Sequence, residues 1–182
     1  MTCIVALIDD SKIWMGGDSA GVGGYDLQVR KDEKVFRNGD FLMGFTTSFR
    51  MGQLLRYALK PPKCHPDTDV YEFMVTDFID TVRQCLKDGG YAKKENEVEE
   101  GGTFLVGVAG RLFVVDEDYQ VGEMRVPFAA VGCGRAYALG SMKATEGQPA
   151  KERIRQALEA AEEFSAGVRG PFTILSNPTD GT

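Results

Sequence analysis

The stretch TCIVALIDDSKIWMGG, residues 2–17, constrains the fold more than any other part of the chain. Thr2 to Ile8 form an unbroken apolar run, rich in β-branched residues. Asp9-Asp10-Ser11 is a turn cluster, and the apolar pattern resumes over Lys12–Gly17. Two such runs around a short polar turn read as a β-hairpin. Most chains place a few loosely ordered polar residues before their first element, whereas here structure is expected from Thr2 onward. Either the hairpin is an economical sheet edge, or the terminus itself has a task. The run is far shorter than the ~18 apolar residues of a membrane span. It also lacks the basic flank and cleavage pattern of a secretory signal.

The rest of the chain alternates strand and helix clusters. Gly21, Gly23 and Gly24 are read as a break before a strand at Leu27–Arg30, followed by a short strand at Glu33–Phe36. Asn38-Gly39-Asp40 is a hairpin turn leading into Phe41–Phe45. One helix is expected from Ser48 to Leu59, stopped by Pro61-Pro62. A second is expected from about Asp67 to Lys87, where Val70, Phe73, Met74, Phe78, Ile79, Val82 and Leu86 recur at helical spacing. Residues 87–102, charged and punctuated by glycine, read as a solvated loop. Strands return at Thr103–Val108, Arg111–Val115, Tyr119–Arg125 and Phe128–Val131. Gly132-Cys133-Gly134 then opens a helix to about Thr145, Pro149 opens a last helix that Gly167 ends, and Phe172–Leu175 is the final strand. Strand clusters separated by helix pairs predict an α+β fold of antiparallel sheets covered by helices.

With 182 residues, 43% of them hydrophobic, and no internal repeat or linker, the chain is expected to form one domain over 1–182. A net charge of −6 and a pI near 4.9 argue against nucleic acid and anionic membranes as partners. The four cysteines, Cys3, Cys64, Cys85 and Cys133, are widely spaced and accompany a single histidine. That pattern is neither a disulfide framework nor a zinc site, and it suits a reducing cytoplasm. No cofactor or metal is expected.

Four short motifs carry a resemblance: Thr2-Cys3-Ile4-Val5, Gly17-Asp18-Ser19, Glu33-Lys34-Val35 and Gly44-Phe45. Thr2 and Asp18 are sixteen positions apart, and so are Asp18 and Lys34. At these intervals the chain resembles the proteasome β-subunit and HslV-like family of N-terminal nucleophile hydrolases. The segment FAAVGCGRAYALGSM, residues 128–142, is similar to that family's strand-glycine-serine-glycine-helix segment, and 149–175 to its last helix and strand. The likeness spans essentially the whole chain and is weakest over 60–100. It implies a four-layer αββα sandwich of two antiparallel sheets between helix layers. It also implies polypeptide substrates, a homo-oligomeric ring and a possible ATP-dependent unfoldase as partner.

The resemblance makes Thr2 the nucleophile and gives the opening run its reason. Threonine is a weak nucleophile unless a base sits beside its hydroxyl. A chain beginning with threonine carries that base as its α-amine, whose reference pKa is about 7.7–8.0. A methionine followed by threonine is the kind of start an aminopeptidase trims, so loss of Met1 is expected to expose Thr2. Lys34, held near the Thr2 hydroxyl, would favour its deprotonation and keep the amine neutral. Asp18 would neutralise that buried lysine. The resemblance places Cys133 in the network around the amine and the oxyanion donors at Thr46-Thr47-Ser48. It draws the specificity pocket from Gly21 and Phe49, which suggests an apolar pocket.

Three departures from the family pattern stand out. Thr47 occupies a place where glycine is usual, Cys133 replaces the serine of Gly-Ser-Gly, and Glu162 and Ser165 match a later aspartate and serine only approximately. They keep open the alternative of a catalytically silent ring or assembly component, and amide hydrolysis of a small molecule shares the same fold. The neighbouring Cys64-His65 suggests a cysteine-protease dyad, but adjacent side chains in an extended, proline-bracketed loop point apart.

Overall fold

A computed structural model describes residues 1–91, 93–95 and 98–177. The opening hairpin forms as β1 (Cys3–Asp9) and β2 (Lys12–Gly17), paired with Ile4 opposite Gly17. β3 (Ala20–Gly23) and β4 (Asp26–Val29) make a separate two-stranded hairpin. Gly21 and Gly23 therefore lie inside a strand where a break was expected, and Gly24, at φ +60°, makes the turn. β5 (Val35–Asn38) and β6 (Phe41–Phe45) pair across the Asn38–Asp40 turn.

Helix α1 (Phe49–Gln53) runs directly into a π-helical turn over Leu54–Ala58. Helix α2 (Val70–Phe73) starts later than the pattern suggested. Asp69 is its cap, accepting from the N–H groups of Tyr71 and Glu72 at 2.8 and 3.2 Å. A π turn over Met74–Phe78 joins it to α3 (Ile79–Asp88). Inside the stretch 87–102, expected as loop, β7 (Lys93–Glu95) pairs with β8 (Val98–Glu100). Its four glycines all fall outside these strands, which leaves the interior run free to pair; residues 92, 96 and 97 lie outside the described residues.

Then follow β9 (Phe104–Val108), β10 (Arg111–Val115), β11 (Val121–Glu123) and β12 (Phe128–Gly132), helices α4 (Arg135–Ala144) and α5 (Ala150–Phe164), and β13 (Thr173–Ser176). One sheet has the order β12-β1-β2-β13 and the other β11-β10-β9-β6-β5; every pairing is antiparallel.

Three clusters of buried side chains define four layers. Cys3, Val5 and Leu7 of β1 pack under α4 and α5 with Ile154, Leu158 and Ala161. Ile4 and Ala6, on the other face of the same strand, meet Leu42, Leu105 and Leu112 of the second sheet. The outer face of that sheet packs Phe41, Met43 and Phe104 against Phe73, Phe78 and Leu86 of the helices, with Phe41 stacked on Phe78 at 5.0 Å between centroids. The order is thus αββα. β1 is buried on both faces, which is why its apolar run does not alternate.

The sheets approach closely over Gly44. A Cβ there would lie 2.6 Å from Ile4 Cγ2 and 2.8 Å from Met15 Sδ. Gly44→Ala is expected to destabilise the protein by about 1–3 kcal/mol through overpacking, read as a lower urea midpoint at unchanged m-value.

Candidate active site

Topology brings the three spaced residues to one end of the sandwich. In the antiparallel β1–β2 pair the start of β1 lies beside the end of β2, so Asp18 sits across from Cys3 and the two exchange bonds. The Cys3 N–H donates to Asp18 Oδ1 at 3.0 Å, and the Asp18 N–H to the Cys3 carbonyl at 3.3 Å. Thr2 directly precedes β1. Lys34 directly precedes β5, at the place where Val35 faces Gly17 and Ile4 between the sheets.

The Lys34 ammonium donates to Thr2 Oγ1 at 2.8 Å and to Asp18 Oδ1 at 2.8 Å. Both side chains of the ion pair are fully buried, at 0% exposure, and Thr2 is buried as well. A buried ion pair is tolerable only when its remaining lone pairs are also met. Asp18 meets that condition, because its oxygens also accept from the N–H groups of Cys3, Ala20 (2.9 Å) and Arg169 (3.3 Å). Burial pushes the Lys34 pKa below its ordinary value of 10.5, opposed by the Asp18 carboxylate. Burial, reinforced by Asp18, pushes the Cys3 thiol up to about 12, so it stays protonated.

Cys133 forms the other side of Thr2. The Thr2 N–H donates to Cys133 Sγ at 3.3 Å, the thiol contacts the Thr2 carbonyl at 3.5 Å, and the Ser165 hydroxyl donates to the thiol at 3.3 Å. Gly132 makes this approach possible: its φ is +95°, and a Cβ would fall 2.2 Å from the Thr2 carbonyl oxygen. With Met1 attached, the Thr2 hydroxyl donates to the Met1 carbonyl, and the methionine side chain rests beside Gly167 and Cys133.

Thr47 stands in the left-handed region at φ +63°. Among the described residues no acceptor meets its N–H, while its hydroxyl accepts from the Thr103 N–H at 3.2 Å. Ser48 has a different role. Its N–H is committed to the Thr46 carbonyl at 2.7 Å, and its hydroxyl caps α1 at the Arg50 N–H. Of the three residues named for an oxyanion, Thr46 gives its N–H to the Thr103 carbonyl at 3.1 Å, so among the described residues only Thr47 offers a free donor. Gly21 and Phe49 share a cavity of about 310 Å³, but Asp26, Gln28 and Arg30 also line it. With Val22 and Phe49 beside them, the lining mixes polar and apolar groups. A larger cavity of about 970 Å³ lies by the β1–β2 turn, at the end of β1 remote from Thr2.

The segment after α5 completes the site, and sequence reading gave it no role beyond approximate matches. Arg169 reaches Asp18 through its N–H, its carbonyl accepts from Ser19, and the Gly170 N–H donates to Glu162 Oε1 at 3.0 Å. The two Arg169 contacts use its backbone and span about 150 residues, so the identity of residue 169 carries no trace of them. Cys64 and His65 form no dyad: the thiol turns to the carbonyls of His65 and Thr68, and His65 Nδ1 faces the Asp67 N–H.

The sandwich has the proteasome-like N-terminal nucleophile hydrolase fold. Among solved structures, BPH from Thiobacillus denitrificans in complex with epoxomicin superposes with a TM-score of 0.76 at 23% identity, covering 96% of this chain and 97% of that one. Eukaryotic HslV from Trypanosoma brucei gives 0.67 at 16%, covering 96% and 98%. Anbu from Yersinia bercovieri, an ancestral β-subunit, gives 0.66 at 17%, covering 97% and 82%. No family model and no curated protein matches the sequence. Among the described residues no helix is long and apolar enough to cross a membrane.

Removing either partner of the buried pair leaves an uncompensated charge. Lys34→Met and Asp18→Ala are each expected to cost about 3–5 kcal/mol, and combining them should cost clearly less than the sum. A double-mutant cycle by chemical denaturation measures this.

Proposed function

We propose that this chain is a threonine peptidase subunit that cleaves peptide bonds through Thr2 once Met1 has been removed. The observation that carries this reading is the Lys34 ammonium, 2.8 Å from both Thr2 Oγ1 and Asp18 Oδ1. A buried cation aimed at a hydroxyl stabilises the alkoxide that must form there.

Removal of Met1 turns the Thr2 amide into an amine. That amine takes the hydroxyl proton, and Thr2 Oγ1 attacks the scissile carbonyl carbon. The oxyanion accepts from the free N–H of Thr47. The amine then returns its proton to the leaving nitrogen, the C–N bond breaks, and the acyl group remains as an ester on Thr2. A water molecule, deprotonated by the same amine, attacks the ester and releases the acid. Lys34 stays an ammonium throughout, and Asp18 holds it in place. Cys133 and Ser165 orient the amine. A thiol is a weaker donor than a hydroxyl, so this amine is held less tightly than a serine would hold it.

While Met1 remains, the nitrogen is an amide and the hydroxyl is occupied by the Met1 carbonyl, so that form is inert in this reading. The same reading carries assembly into a homo-oligomeric ring, served by an ATP-dependent unfoldase. The exposure of Tyr25, Leu27 and Val29 on the β3–β4 hairpin supports a surface that a neighbouring subunit covers.

The test is hydrolysis of fluorogenic peptides by protein with and without Met1. Activity is expected only in the trimmed protein and is lost in Thr2→Ala. The pH profile of kcat/KM should be bell-shaped. It rises as the amine loses its proton at or below about 8, because the free amine is the base. It falls before pH 10.5, because a lowered Lys34 pKa means the ammonium is lost earlier. Trimmed, folded protein with no activity on any peptide supports the silent ring component instead.

A further inference from the structure

Thr47 sits where β6 leaves its ladder with β9. Phe45 pairs with Phe104, and one step further the Thr46 N–H still donates to the Thr103 carbonyl at 3.1 Å. In an antiparallel ladder such a pair exchanges two bonds, so the return bond would run from the Thr103 N–H to the Thr46 carbonyl. That carbonyl is taken. It accepts from the Ser48 N–H at 2.7 Å, a bond from residue i to i+2 that closes a γ-turn centred on Thr47.

With φ at +63°, this is the rare and strained form of that turn. A β-branched residue is costly there, whereas glycine adopts such angles freely. Threonine brings an acceptor that glycine lacks. Thr47 Oγ1 accepts from the Thr103 N–H at 3.2 Å, taking the place that the Thr46 carbonyl has left. Residue 102 gives the side chain room for this. A Cβ on Gly102 would lie 3.0 Å from Thr47 Cβ and 3.2 Å from its methyl carbon.

The Thr46 carbonyl and the Thr47 N–H belong to one planar trans peptide and point in opposite directions. Turning that carbonyl back to the Thr103 N–H would complete the ladder and reverse the Thr47 N–H. Two acceptors, Thr46 O and Thr47 Oγ1, thus compete for one donor, and the direction of the free N–H depends on which wins. An oxyanion donor acts only when it is already aimed at the developing charge.

We propose that the Thr47 hydroxyl is a positioning group: by satisfying the Thr103 N–H, it holds the 46–47 peptide with its own N–H turned to the oxyanion. This inference rests on the peptidase reading above and adds the part that fixes its oxyanion donor. The hydroxyl itself touches no reacting atom.

The experiment measures kcat and KM separately, on one fluorogenic peptide, for trimmed full-length protein and three variants. Thr47→Val keeps the branched shape and loses only the hydroxyl. It is expected to lower kcat by about 100-fold, as loss of one oxyanion donor does, with KM changed by less than about twofold. Thr47→Gly removes the strain at positive φ, which protects its fold, but it too lacks the acceptor and should lose kcat to a similar extent. Thr47→Ser restores the acceptor and should recover most of the loss. Wild-type kcat in either the valine or the glycine variant overturns this inference alone. So does a serine variant as impaired as those two, or an effect confined to KM. Absence of cleavage by the trimmed protein with Thr47 intact, or cleavage that survives Thr2→Ala, overturns the peptidase reading and this inference with it.

Discussion

The arrangement at the start of β1 depends on one buried ammonium. A lysine at 0% side-chain exposure would carry a desolvation cost of several kcal/mol if left alone. Much of the surrounding backbone is organised to prevent that. Asp18 supplies the counter-charge, and three N–H groups from three separate segments hold Asp18 still. The ammonium is thereby fixed in direction, and its remaining hydrogen bond goes to Thr2 Oγ1. Without this pair, Thr2 would be one more buried hydroxyl at the head of a strand.

The four-layer fold makes such a burial possible. β1 is covered by helices on one face and by the second sheet on the other, so its first residue already lies in a dry environment. The sheets close on each other where Gly17 and Gly44 omit side chains, and Lys34 enters at that seam. The segment after α5 then seals the site from outside by backbone bonds to Ser19 and Asp18. Thr2 is left with two distinct sides: a charged, buried side facing Lys34, and a softer side facing the thiol of Cys133 and the hydroxyl of Ser165.

Much of this was legible in the sequence. The opening hairpin, the Asn38–Asp40 turn, the helical repeat of Phe73, Phe78 and Val82, and the glycine-bounded start of α4 are local patterns, and each formed. The family resemblance carried by the spacing of Thr2, Asp18 and Lys34 marked residues that do meet in space, each flanking a strand end at the same edge of the sandwich. Other features were beyond reach for physical reasons. The β3 strand hid behind its glycines, whose propensity argues for a turn until cross-strand pairing overrides it. The Ser48 N–H looked equivalent to that of Thr47, and only backbone geometry shows it consumed. Arg30 read only as the end of a strand, since nothing local indicates that its guanidinium will lie over Phe49. The backbone contacts of Arg169 leave no signature in its own side chain.

The central claim is that Lys34 and Asp18 make Thr2 Oγ1, paired with its own amine, the reactive atom of the chain. Peptide mapping by mass spectrometry, after trimmed protein has reacted with an epoxyketone, tests it most directly. One adduct on the peptide that begins at Thr2 is the predicted result. A protein that takes up no reagent, or takes it up on the peptide containing Cys133, would contradict the account.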